Sequence, residues 1–285
     1  MSNIFRISDG LGNQLFQYAF AYSMYQKTGT DIVLDPMYSG TLRRYQLDAF
    51  KLDFSKKFIN TSFDYLIGIG PKHAAKIKLW YRDRKIMTKK ITTIRESDFK
   101  TSDEIYRKSD NNYFIGFWQS YKYFDQFYDD IKRQFVLKKP LSNKAADYAN
   151  KMRNTMSVSL HIRRTDYNRA INNVCLSNDF YLLALNQLKK ELNHFSLFVF
   201  TDDKEFVRKN LNLTPFELVE GVTDLEEFQL MQCCKHHIIA NSTFSWWAAY
   251  LSKQKGGIVY APTADIWTSD FYLPKWNCIE ARFIK

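Results

Sequence analysis

Apolar positions along the chain follow two periods, about two residues where strands form and about 3.6 where helices form. Ile4-Phe5-Arg6-Ile7 reads as a short strand, and Ser8 to Asn13 as a glycine-containing turn. Gln14 to Lys27 reads as a helix with Leu15, Phe16, Ala19, Phe20 and Met24 on one face. Gly29 fits its C-terminal stop, and Asp31-Ile-Val-Leu34 forms the next strand, closed by Asp35-Pro36. A strand–helix–strand unit of this kind belongs to a parallel sheet.

Residues 37–115 carry a weaker pattern, with lysine-rich helices expected around 72–90 and turns near Gly68 and Gly70. Tyr113-Phe-Ile115 reads as a strand ahead of Gly116-Phe-Trp-Gln-Ser120, and Tyr121 to Phe135 as one aromatic-rich helix. Pro140 and the polar stretch to Asn154 mark a boundary and a linking helix, which divides the chain into residues 1–150 and 151–285. The second half alternates more clearly. Strands are expected at 157–162, 195–200, 218–219, 237–240 and 257–260, and helices at 179–192, 203–211, 224–234 and 244–253. Strand–helix alternation gives an α/β fold, and two such domains facing a cleft is the expected architecture.

Three strand ends of the second half carry polar groups: His161-x-Arg163-Arg164-x-Asp166, Thr201-Asp202-Asp203 and Asn241-Ser242-Thr243. In a parallel sheet these carboxyl ends share one edge, where open α/β sheets bind ligands. Adjacent arginines, each with five rigid N–H donors, suit phosphate oxygens and a leaving group that gains negative charge. Ser242 and Thr243 precede a helix and so offer a phosphate site at its N-terminus. Asp202 or Asp203 fits a ribose hydroxyl or a base N–H. Each residue has a plainer reading as well. The arginines could pair with Asp166 at the surface, Asp203, Ser242 and Thr243 could act only as helix caps, and His161 could be a core histidine.

Bulk properties narrow the chemistry. The net charge of +11 over 285 residues favours anionic partners: nucleotide phosphates, nucleic acid or an anionic membrane surface. No phosphate-binding Gly-x-x-x-x-Gly-Lys-Ser/Thr loop occurs, and Gly10-Leu-Gly12-Asn13 lacks the third glycine of the dinucleotide fingerprint. There is no Asp-x-Asp pair to hold a diphosphate through a metal, so arginines would supply that positive charge. His236 and His237 point to opposite strand faces and do not chelate together. The first residues lack the pattern of a signal peptide, no run of 18 apolar residues occurs, and the four cysteines lack paired spacing. Together these features point to a reducing, cytoplasmic setting without a metal or other cofactor.

Four blocks carry a resemblance: Ser8-Asp-Gly-Leu-Gly-Asn-Gln-Leu-Phe-Gln-Tyr-Ala-Phe-Ala21, His161-Ile-Arg-Arg-Thr-Asp166, Phe200-Thr-Asp-Asp203 and Asn241-Ser-Thr-Phe-Ser-Trp-Trp-Ala248. Jointly they resemble the bacterial α-1,2-fucosyltransferases of glycosyltransferase family 11. The resemblance implies a GT-B-like fold of two Rossmann-like domains, an acceptor side in the first domain and a donor site mainly in the second. It implies a GDP-β-L-fucose donor, inversion at the anomeric carbon, and no metal requirement. By similarity, Arg163 would hold the β-phosphate, His161 and Asp202 would contact the nucleoside, and Ser242, Thr243 and Phe244 would line the diphosphate beside Arg164. Asn13, in the Gly12-Asn13-Gln14 turn, would lie near the transferred sugar, and Asp166 or Asp9 is a candidate base. The acceptor implied is a galactose-terminated oligosaccharide or lipid-linked glycan, as in O-antigen or capsule synthesis. The positive charge would then help a cytoplasmic protein meet carriers at the inner face of the plasma membrane. The competing readings are a basic nucleic-acid-binding protein and a fucosyltransferase of another linkage. The first is disfavoured because the aromatics fall into apolar helix and strand patterns rather than onto an exposed basic sheet.

Overall fold

The computed structural model describes residues 2–36, 44–56, 90–96, 103–107, 111–165, 174–210, 215–263 and 270–284, with isolated positions between 80 and 88. The helices expected around 72–90 and the turns near Gly68 and Gly70 lie essentially outside these residues. The chain forms two compact units, Met1–Lys138 and Lys139–Lys285.

In the first unit, β1 (Ser2–Ile7), β2 (Asp31–Pro36), β3 (Thr92–Arg95) and β4 (Asn112–Ile115) form a parallel sheet in the order β2-β1-β4-β3. Helix α1 (Leu11–Thr28) connects β1 to β2. It starts three residues earlier than its periodicity suggests, because Asp9 takes a left-handed φ of 68° and turns the strand into the helix over Gly10. The glycine-containing turn expected through Asn13 is therefore only Ser8 to Gly10, and Asn13 lies in the first helical turn. Gly29 ends α1 at φ 68° and donates its N–H to the carbonyl of Tyr25, the left-handed stop that glycine provides without a Cβ clash. Aromatic rings fill the core: Phe5 stacks on Phe114 at 4.8 Å and Phe20 on Trp118 at 4.2 Å.

The single helix expected over 121–135 is three pieces: short 3-10 turns at Tyr121–Tyr123 and Asp125–Phe127, then α2 (Tyr128–Gln134). Tyr123 and Phe124 are buried against Phe20 and Phe16. Phe124 at φ −134° leaves helical geometry to get there.

The second unit contains α3 (Asn143–Arg153), β5 (Ser157–Ile162), α4 (Asn178–Glu191), β6 (Ser196–Thr201), α5 (Lys204–Asn210) and β7 (Phe216–Leu218). It continues with α6 (Asp224–Met231), β8 (His236–Ile238), α7 (Thr243–Tyr250), β9 (Val259–Thr263) and β10 (Asn277–Glu280). The polar stretch after Pro140 is thus α3, and it belongs to this unit, which puts the division nearer 138 than 150. The six strands are parallel in the order β10-β9-β8-β5-β6-β7. This is the order of the doubly wound Rossmann sheet, with β5 as its first strand. Every residue of β5 is buried, as required of a strand covered on both faces. One face packs Val158, Leu160, Ile162, Leu197 and Val199 against Phe180, Ala184 and Leu188 of α4. Among the described residues no helix is long and apolar enough to cross a membrane.

Candidate functional site

The chain leaves β5 toward β6 on one side and leaves β8 toward β9 on the other. The carboxyl ends of β5 and β8 therefore flank a topological switch point, the place where an open parallel sheet leaves a crevice for a ligand. Arg163 and Arg164 follow β5, Asp202 and Asp203 follow β6, and the Asn241–Thr243 turn follows β8. The structure thus brings the three polar strand ends of the second half to one edge.

Asp202 organises the arginine turn. Its Oδ1 accepts from the Arg164 N–H at 2.9 Å. Its Oδ2 accepts from the Thr165 N–H at 3.2 Å and the Thr165 hydroxyl at 2.6 Å. Arg163 Nε lies 3.2 Å from the same oxygen. Asp203 does different work: its Oδ1 caps α5 by accepting from the Phe206 N–H at 3.0 Å, and Oδ2 stands 3.6 Å from Arg164 Nε. Arg164 lays its guanidinium over the Phe206 ring at 3.4 Å, a cation–π contact that fixes the plane of the group. Both arginines are mostly buried, with 21% and 13% of their side-chain surfaces exposed.

Across the switch point, Ser242 occupies the N-cap position of α7 in extended conformation, and its side chain makes no capping bond. The N-terminus of α7 carries the positive end of the helix dipole, and no acidic residue sits in its first turn. Trp246 and Trp247 are fully buried and hold the helix in place. Phe244 lies 5.8 Å from the His161 ring and 5.5 Å from Phe228, an aromatic wall beside the arginine turn. His161 itself is buried. His237 is buried too: its Nδ1 meets the Ser159 hydroxyl at 2.8 Å, and burial pushes its pKa down to about 3. It is a neutral core histidine.

Sequence reasoning missed Glu227, on α6. Burial pushes its carboxyl up to about 7, against the opposing pull of Lys204; Asp224 and Asp202 raise it further, and Arg163 lowers it. No side-chain hydrogen bond engages it among the described residues. In the sequence it hides in the Asp224-Leu-Glu-Glu227 run, which reads as a solvated helix start. Perturbed carboxyls of this kind cluster at functional sites. Asp166 lies outside the described residues.

At the corresponding edge of the first sheet, the ends of the neighbouring strands β1 and β4 lie side by side. Asn13 Oδ1 accepts from Gln119 Nε2 at 2.9 Å. Gln17 ties the two strand ends together, accepting from the Ser8 N–H at 2.9 Å and donating to the Gly116 carbonyl at 3.1 Å. Among the described residues no three His, Cys, Asp or Glu side chains gather as a metal-holding group.

The profile of the family described as Glycosyl transferase family 11 matches residues 3–280. An alpha-1,2-colitosyltransferase of Escherichia coli is 30% identical over 281 residues, covering 90% of each chain. A galactoside 2-alpha-L-fucosyltransferase of Bos taurus is 27% identical over 63% of this chain and 55% of its own. Among solved structures, the alpha-1,6-fucosyltransferase NodZ from a crystal soaked with GDP-fucose superposes with a TM-score of 0.51 at 17% identity, over 87% of this chain and 91% of its own. That likeness extends the two-sheet α/β architecture to the GT-B-type fold.

Proposed function

The chain belongs to glycosyl transferase family 11, and from that premise we propose that it is a galactoside α-1,2-fucosyltransferase that takes L-fucose from GDP-β-L-fucose. The observation that carries the reading is the convergence of Arg163, Arg164, Asp202 and the Asn241–Thr243 turn at one switch point. A nucleoside diphosphate fits each part of it. Arg163, held by Asp202 through Nε, supplies a fixed positive charge to the β-phosphate. Arg164, Ser242 and Thr243 line the diphosphate, and His161, Phe244 and Asp202 border the nucleoside. The Glu227 carboxylate suits the N1–H and N2–H donors of guanine, which adenine does not offer as a pair.

Transfer proceeds by cleavage of the bond from the anomeric carbon to the phosphate oxygen, through an oxocarbenium-like state. Negative charge grows on the departing GDP, and a guanidinium already fixed in place stabilises it without reorganising. The attacking 2-hydroxyl of galactose loses its proton to a base, for which Asp166 is the candidate. Asn13 belongs to the sugar side. Positive charge on two arginines replaces a divalent cation, so the reaction needs no metal. A second donor, a GDP-linked colitose, is favoured by the colitosyltransferase relative alone.

Incubation with GDP-fucose and lactose in excess EDTA tests the reading. Full transfer to an α-1,2 product is expected. Strict dependence on Mn²⁺ would sink the arginine mechanism, and transfer only from the colitose donor would replace fucose.

A further inference from the structure

We propose that residues 116–119 form the acceptor-binding loop of the first unit, with Glu96 as its positioning residue; the proposal rests on the glycosyltransferase reading above. Glu96 follows β3 directly, and Gly116 follows β4, the parallel neighbour of β3. The Glu96 N–H donates to the Ile115 carbonyl at 2.9 Å, continuing the ladder past the last strand residues. Its carboxylate then turns onto the loop. Oε2 accepts from the Phe117 N–H at 2.7 Å, and both oxygens accept from the Trp118 N–H at 3.1 Å. A half-buried side chain from one strand end thus holds the main chain of the next.

The held conformation is an unusual one. Trp118 has φ 56°, a left-handed value that a bulky residue rarely adopts. Three neighbours over-determine it: the Glu96 carboxylate on its N–H, the Ser120 N–H on its carbonyl at 2.9 Å, and the Phe20 ring stacked at 13°. Gly116 is required as well, since a Cβ there would stand 2.6 Å from the Glu96 Cβ and 2.7 Å from its Oε2. Strained backbone that the surroundings force into place is typical of ligand-positioning loops. What the loop delivers is Gln119, set against Asn13 at the β1 and β4 ends of the first sheet. Partial burial raises the Glu96 carboxyl above the usual carboxylate range, against the Trp118 and Phe117 N–H groups that lower it.

The polar chemistry of this edge, where Gln119 is buried and Asn13 half-buried, differs from that of the second unit. Asn13 and Gln119 are neutral amides, and Asp9, half-buried at the end of β1, is an acceptor. Amides and a carboxylate match the hydroxyl groups of a sugar, whereas a diphosphate requires the cationic edge of the second sheet. The galactoside therefore belongs here.

Kinetic constants for the full chain carrying Glu96→Ala, Glu96→Gln or Gly116→Ala test the proposal. The two alanine variants are expected to raise the acceptor KM at least tenfold. The donor KM, and the slow hydrolysis of GDP-fucose without acceptor, should stay within twofold. Glu96→Gln, which keeps one acceptor oxygen, should fall between. An unchanged acceptor KM, or an equal rise in both KM values, overturns the proposal. Should Glu96→Ala fail to fold, Gln119→Ala reads the same loop, and a normal acceptor KM in that variant is equally fatal. Lactose binding followed by NMR separates this idea from the fucosyltransferase reading. Binding that Glu96→Ala weakens supports the loop even if GDP-fucose is not the donor, and no binding to the unmodified chain refutes it.

Discussion

The two adjacent arginines have different surroundings and should fail differently. Arg163 pairs with Asp202 through Nε, whereas Arg164 stacks on Phe206 and stands near Asp203. Arg163→Ala is expected to lower kcat about 10²–10³-fold, the effect of removing one preorganised donor from a developing anion. Initial rates at saturating GDP-fucose check this, and near-normal turnover would remove the assigned role. At this scale the sequence discloses charge but not conformation. His161-x-Arg163-Arg164 is visible because charged residues end an apolar strand. That Asp202 gathers the N–H groups of residues 164 and 165 is not, because those bonds depend on how the main chain turns. Asn13 is misplaced for the same reason: the left-handed Asp9 starts the helix early. Glu227 and Glu96 escape notice because burial, not spacing, sets them apart.

Among the elements, α6 carries the most complete start signal. Thr223 accepts from the Glu226 N–H, and Glu226 returns a bond to the Thr223 N–H at 2.9 Å, a capping box. Glu226 also accepts from the Ser142 N–H at 2.8 Å, which joins the starts of α3 and α6. The Thr223 N–H is the main cause holding the Glu226 carboxyl down to about 2, with Ser142 adding to it. A depressed carboxyl contributes stability that is present above its ordinary value of 4.5 and lost as pH falls toward 2. Thr223→Ala should therefore cost about 1 kcal/mol at neutral pH. Glu226→Gln should flatten the loss of stability across that acid window, as measured by urea unfolding at stepped pH. Element-level reading succeeds for β5 and α4, whose patterns are long and regular. It fails for the 121–135 segment, where Tyr123 and Phe124 both turn inward and break the helix that their neighbours favour. It also misses β3 and β10, four residues each and mostly exposed, so that little apolar alternation marks them.

At the scale of the molecule, the alternation of strands and helices makes two parallel sheets legible, but strand order is not. The order follows from right-handed crossovers packed on both faces, and it alone shows that the ends of β5, β6 and β8 share an edge. If that edge binds GDP, nucleotide at 100 times its Kd should raise unfolding free energy by about 2.7 kcal/mol. The gain should shrink as salt screens the arginines. A thermal-shift titration with GDP, repeated with AMP, reads both effects, and no shift with GDP would count against the site. The same strand order has a consequence for biogenesis. During synthesis β5 emerges with both of its edges open. Its first partner, β6, comes after α4, and its second, β8, aligns Val158 with His236 only when nearly the whole chain has been made. Such long-range pairing closes late and leaves a strand buried on both faces in the native state briefly uncovered. The crevice between the ends of β5 and β8 is therefore among the last features to be completed, and a truncated product ending before β8 would lack it altogether.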